Sequence, residues 1–238
     1  AGVTGTVVVE ASRWLEDNQW ILDLAQNDPY IVGFVGGLVP NRPGFAPELE
    51  RFAANPLFRG IRVGGAFLAD VEQGSFLEDM ALLAARDLSL DVLIFDPAHF
   101  DGLYRLAERL PELRIVINHV GNMPIDGQPL APEWRERFRR AAAYPHVHMK
   151  VSGLLENSRV QPAPEEVDFY RPLLDCLWDG FGEDRLIFGS NWPVCEQAGT
   201  YRACLSIVRS YFREKGASAS DSYFWRNAQR VYKWVQRA

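Results

Sequence analysis

Short β-branched runs alternate with longer amphipathic stretches along this chain, and few architectures accept that alternation. The runs predicted as strands are Thr6 to Glu10, Ile31 to Leu38, Gly60 to Val63, Leu90 to Phe95, Arg114 to Asn118, Val147 to Val151 and Leu186 to Phe188. Helices are predicted over Glu16 to Gln26, Ala46 to Ala54, Phe76 to Asp87, Phe100 to Glu108, Pro132 to Ala143, Pro164 to Leu177, Tyr201 to Glu214 and Asp221 to Val235. Pro132 and Pro164 fall near first-turn positions, Asp101 and Asp221 are candidate caps, and Gly216 marks a helix end. Strands joined through helices need crossovers, which makes them parallel. The expected fold is therefore α/β, a (β/α)8 TIM barrel forming a single domain over residues 1–238. Seven strands fall one short of closure, so a first strand and its helix are expected upstream, with Ala1-Gly-Val-Thr-Gly5 as the loop into the second strand. Without them two strand edges would lie unpaired.

Parallel strands covered by helices read as continuous apolar runs, and their functional groups gather at the carboxyl ends. Two runs end that way. Arg114-Ile-Val-Ile-Asn-His-Val-Gly121 closes on Asn118, His119 and Gly121, and Arg185-Leu-Ile-Phe-Gly-Ser-Asn-Trp-Pro-Val194 closes on Gly189, Ser190, Asn191 and Trp192. A net charge of -6 argues against nucleic-acid and anionic-membrane surfaces, which call for a basic patch, and favours a small-molecule partner. Cys176, Cys195 and Cys204 are odd in number and show no C-x-x-C spacing, which points to a reducing, cytoplasmic setting. No apolar run approaches the roughly 18 residues of a membrane-spanning helix, and the N-terminal residues do not read as a signal peptide. Homo-oligomerisation stays open.

Val7-Val-Val-Glu-Ala-Ser12, Ile31-Val-Gly-Phe-Val-Gly36, Phe58-Arg-Gly-Ile-Arg62, Ile117-Asn-His-Val-Gly121, Met149-Lys-Val-Ser-Gly153 and Phe188-Gly-Ser-Asn-Trp-Pro193 occur in that order. Together they resemble the amidohydrolase-related family in its lactonase branch, which holds sugar lactonases acting on fuconolactone or rhamnonolactone and the hydrolase of 2-pyrone-4,6-dicarboxylate. Phe224-Trp-Arg-Asn-Ala228 and Tyr232 are similar to that family's last helix. The resemblance spans nearly the whole chain and implies a barrel hydrolase that opens a cyclic ester with water. Such an enzyme must deprotonate water, stabilise the carbonyl oxygen as it gains charge, and hold the substrate.

The resemblance implies that His119 polarises the carbonyl or meets a metal; a buried structural histidine is the plainer reading of the residue alone. At Asn191 the family usually carries Asp as general base or metal-side carboxylate. An amide takes up no proton near neutral pH, so the base duty would pass to His119, to Glu10 or to the absent first strand, while the Asn191 oxygen can accept a hydrogen bond or ligate a metal, or the residue simply caps the turn before Pro193. Arg62 matches a family arginine able to grip a carboxylate, or serves a salt bridge. Lys150 would be a buried cation with Glu10 as a partner, a pair either structural or catalytic. Asp96 and His99 follow a strand as substrate-contact candidates, although Asp before Pro commonly starts a turn. Trp192 and Trp14 offer rings for stacking, with packing as the default.

The superfamily's first strand normally carries a His-x-His pair. His146 and His148 have that spacing but open a strand, at the opposite end from a site, and read as structural. No metal is therefore expected from this chain alone; a Zn ion with His119 among its ligands becomes possible if an upstream first strand supplies the pair. Cys195 has no evident neighbouring base and is not expected to be a nucleophile. The competing readings are a metal-dependent amidohydrolase or decarboxylase on the same barrel, and a barrel that binds a ligand without chemistry.

Overall fold

The computed structural model describes residues 2–237; Ala1, the start of the expected lead-in loop, lies outside them. Seven strands occupy one sheet in chain order: β1 (Thr6–Val9), β2 (Ile31–Gly36), β3 (Phe58–Gly64), β4 (Ser89–Leu93), β5 (Arg114–Ile117), β6 (Val147–Val151) and β7 (Leu186–Phe188). The pairs β1–β2, β2–β3, β3–β4 and β6–β7 are parallel. Helices separate successive strands, which is the order of a partial (β/α) barrel. The chain divides into two compact units, residues 2–116 with 229–237 and residues 117–228.

In the first unit, α1 (Asp17–Asn27), α2 (Phe45–Ala53), α3 (Phe76–Ala85) and α4 (His99–Arg109) follow β1 to β4. Phe34, Phe52, Phe58, Ile61, Leu90 and Val92 are buried in its core. Asn18 of α1 is 2% exposed, because its amide donates to Gly37 O and accepts from Gly37 N, both at 2.9 Å. A buried amide satisfied on both sides fixes the helix against the end of β2. The last residues belong to the same unit: Val235 N donates to Val32 O, Arg59 Nε to Tyr232 O and Arg114 Nε to Val231 O. Arg237 reaches the carbonyls of Ala25, Gln26, Asp28 and Ile31. Buried Asp91 of β4 accepts the Tyr232 hydroxyl.

In the second unit, α5 (Pro132–Ala142), α6 (Val167–Phe181) and α7 (Tyr201–Glu214) accompany β6 and β7. Thr200 caps α7 by accepting from Ala203 N at 3.0 Å. The spacing of Ala203, Cys204, Ile207, Val208, Tyr211 and Phe212 gives α7 one buried face. Each large side chain there contributes roughly 1.5–3 kcal/mol before entropy is counted. Tyr223 stacks on Phe212 at 3.6 Å and donates its hydroxyl to Val151 O, which anchors the end of β6.

Three sequence expectations need correction. The final helix does not begin with an Asp221 cap: α8 spans Ala217–Asp221, a π-helical turn covers Ser222–Arg226, and α9 (Asn227–Tyr232) follows. The π turn lies where Asn227 donates to the carbonyls of Glu183 and Leu186, so tertiary bonding sets the local winding. Asp101 falls inside the first turn of α4 rather than at its cap, which is Ala98. Pro164 precedes α6 and accepts the Tyr170 hydroxyl instead of opening the helix.

Candidate active site

The carboxyl ends of β5, β6 and β7 assemble a polar constellation within the second unit. After β5 the chain turns sharply, with φ of 51° at His119, 48° at Val120, 64° at Gly121 and 50° at Asn122. Left-handed backbone suits Gly and Asn but not a β-branched valine, so this turn stores strain that the surrounding structure must enforce. The enforcement is visible. Ile125 N donates to Asn157 O and Arg159 N to Ile125 O, lacing the segment after β5 to the segment after β6.

Glycine makes the close approach possible. Gly153 follows β6 at φ 69°, and a Cβ there would lie 3.0 Å from His119 Cβ. Ser152, just before it and buried, shares a 2.8 Å hydrogen bond between its Oγ and His119 Nδ1. A hydroxyl can donate or accept, so this bond survives in either tautomer of the ring and leaves Nε2 as donor or as base. Alternation along β6 places Lys150 on the same face as Ser152. Lys150 is 7% exposed, and a Cβ at Gly189 would come within 3.0 Å of its stem. Asn118, at the end of β5, is buried with neither side-chain amide atom bonded among the described residues. That is an unmet demand which a ligand or water would satisfy. A cavity of about 10 Å³, room for one water, is lined by Ser152, Gly153, Ser190 and Cys204 among others.

Asn191 makes a contact that the sequence readings did not include. Its backbone is left-handed at φ 53°, and its carbonyl accepts from Cys195 N at 2.9 Å. Its amide does not cap the turn; Ser190 Oγ does so by accepting from Trp192 N. The Asn191 Nδ2 instead donates at 2.6 Å to Oε1 of Glu156, a residue that sequence reasoning missed. Glu156 lies on the turn after β6, fixed by Asn157 N and Nδ2 donating to Gly153 O. Its Oε2 is buried and has no hydrogen-bond partner among the described residues. Burial pushes the carboxyl above its ordinary value, and its own backbone N–H and Asn191 pull it partly back. Its place past the Ser152-Gly153 ending of β6 was the available signal.

The remaining candidates lie in the first unit. Glu10 pairs with Arg62: Arg62 Nε donates to Glu10 Oε1 at 2.8 Å and Nη2 to Glu10 O at 2.5 Å. The guanidinium fork thus holds both the carboxylate and the backbone carbonyl of one residue. Asp96 accepts from Ala98 N, the turn-starting role expected of Asp before Pro. His99 opens α4 with its Nδ1 buried and unbonded among the described residues, and a Cβ at Gly65 would reach within 2.6 Å of that nitrogen. Packing fails as the default for the tryptophans. Trp14 and Trp192 are 78% and 62% exposed, and Trp192 Nε1 donates to Glu196. His148 Nδ1 bonds His146 O at the start of β6, in keeping with a structural role. All three cysteines are free thiols. Among the described residues, no three His, Cys, Asp or Glu side chains are placed to hold a metal ion, and no helix is long and apolar enough to cross a membrane.

The amidohydrolase family matches residues 1–234. The chain belongs to that family. This amidohydrolase is 33% identical over 207 residues to the L-fucono-1,5-lactonase of Burkholderia ambifaria, covering 84% of this chain and 69% of the relative. It is 29% identical to the L-fucono-1,5-lactonase of Burkholderia multivorans, over 92% of this chain and 77% of the relative. A crystal structure of a Burkholderia multivorans amidohydrolase with bound HEPES superposes with a TM-score of 0.86 at 26% identity, covering 97% of this chain and 84% of that one. The sequence resemblance to the lactonase branch is thereby upheld.

Proposed function

We propose that this amidohydrolase opens a small sugar-acid lactone with water, with L-fucono-1,5-lactone as the first substrate to try. The observation that carries the reading is the His119–Ser152 pair beside the end of β6, in a chain similar over most of its length to two L-fucono-1,5-lactonases. The scaffold would be the complete (β/α)8 barrel to which the seven strands contribute. In this reading Ser152 donates to His119 Nδ1, leaving Nε2–H to polarise the lactone carbonyl. Lys150 supplies positive charge for the developing oxyanion, which is worth most in a water-poor site. Asn118 has free amide groups to hold a substrate hydroxyl or the attacking water. The chemistry needs no cofactor, and three free thiols suit a cytoplasmic setting.

The test is hydrolysis of a panel of fuconolactone, rhamnonolactone and pyrone dicarboxylate lactone, followed as acid release with and without a chelator. Turnover of a sugar lactone that survives the chelator is expected. Failure on every lactone would refute the proposal, and loss of turnover in chelator would refute its metal-free part.

A further inference from the structure

Resting on the lactone reading, we propose that Glu156 is the catalytic base of this enzyme and that Asn191 is its positioning residue. Lactone hydrolysis needs a group that accepts a proton from water and returns it to the leaving ring oxygen. Asn191 cannot do this, since an amide does not titrate near neutral pH. It can hold a carboxyl group in place, and it does: Nδ2 donates to Glu156 Oε1 at 2.6 Å. That contact fixes one oxygen and leaves Oε2 as the proton-accepting atom, which is buried and bonded to nothing among the described residues.

Two backbone devices hold the pair. Asn191 is kept at φ 53° by its carbonyl bond from Cys195 N, and Glu156 is carried on the turn closed by Asn157 on Gly153 O.

The neighbours of Glu156 suit a base that must bind and release one proton. The titratable groups that feel its charge are the thiols of Cys195 and Cys204 and the phenol of Tyr170. Burial raises all three, so they stay neutral across the working range. Burial also raises Glu156 itself, toward the pH at which a carboxylate is both ionised and basic.

The steps balance. As the water oxygen bonds the lactone carbonyl carbon, its proton passes to Glu156 Oε2 and the carbonyl π pair moves onto oxygen. Collapse re-forms the C=O bond and breaks the ring C–O bond. The departing oxygen takes the proton from Oε2, leaving a hydroxy acid and the Glu156 carboxylate.

The experiment combines lactone kinetics against pH with a carbon-13 titration of the Glu156 carboxyl, for the wild-type chain, Glu156→Gln and Asn191→Gly. Glycine removes the amide while tolerating positive φ. Glu156→Gln keeps the acceptor for Asn191 but takes up no proton, and is expected to lower kcat about 10²–10⁴-fold with little change in KM and to lose the acid limb of the pH profile. Asn191→Gly removes a donor that favours the ionised form, so the Glu156 titration and the acid limb both move to higher pH. Unfolding does not explain such a loss. Folding raises the Glu156 pKa, so its stability contribution is fully present below the unfolded value and is lost as pH rises through the folded one. Glu156→Gln removes that loss, and its Tm at pH 8 should match or exceed wild type.

Lactone turnover unaffected by Glu156→Gln would overturn the Glu156 assignment alone. So would a Glu156 carboxyl that titrates in the usual range regardless of Asn191→Gly. A wild-type chain inert on every lactone would overturn this assignment together with the functional reading.

Discussion

Replacing His119 by asparagine is expected to lower kcat/KM on a lactone by about 10²–10⁴-fold, the usual span for losing a positioned proton-handling group. Asparagine is chosen because His119 sits at φ 51°, a region that Asn tolerates and alanine does not. Its amide can still meet Ser152 Oγ, so the turn after β5 keeps its lacing through Ile125 and Arg159. What vanishes is a ring that can present Nε2 as donor or base. Steady-state kinetics with circular dichroism as a folding control decides the matter. Activity within a few-fold of wild type would show that His119 is structural, the plainer of its two sequence readings.

The largest stability effect is expected far from that chemistry, at Gly102 of α4. A Cβ there would lie 1.7 Å from Leu68 O, in the 3-10 turn Gly65–Leu68 that follows β3. Helix propensity alone favours Gly→Ala by about 1 kcal/mol. The clash opposes it and wins, because the obstacle is a backbone carbonyl and not the tip of a flexible side chain. Overpacking commonly costs about 1–3 kcal/mol, and so severe an approach belongs at or beyond the top of that range. Gly102→Ala should therefore lose a net of about 2–4 kcal/mol. For a chain of this size that corresponds to a Tm lower by roughly 4–16 °C. Calorimetry measures it directly; an unchanged or higher Tm would mean that α4 slides away from the turn at no cost.

The strands were legible because apolar, β-branched runs between helical stretches have few alternatives. β6 and β7 match expectation to the residue, and the others to within two residues at every boundary. The end of the chain was less legible. Gly216-Ala-Ser-Ala-Ser-Asp221 carries no apolar period, so nothing local announced that a helix begins at Ala217 or that a π turn follows. Within the site, His119 and Asn191 stood out since each ends a strand-like run. Glu156 did not, because it lies in an irregular turn and is one of 31 acidic residues. Its importance comes from Asn191, a contact across 35 positions that no local pattern encodes. The same limit explains the Glu10 pairing, which joins residues 52 apart. Long-range polar partners are chosen by packing, and packing is settled only once the chain has folded.

The bonds from residues 231–237 to β2, β3, α1 and the start of β5 also bear on how this molecule is made. Synthesis runs from the amino end, so residues 2–116 emerge long before the segment that fastens them. Until then the carbonyls of Ala25, Asp28 and Ile31 lack Arg237, Val32 O lacks Val235, and buried Asp91 lacks the Tyr232 hydroxyl. Residues 117–228, by contrast, are contiguous and can pack as soon as they leave the ribosome. The earlier unit therefore gains its closing contacts only after residues 117–228 have been synthesised.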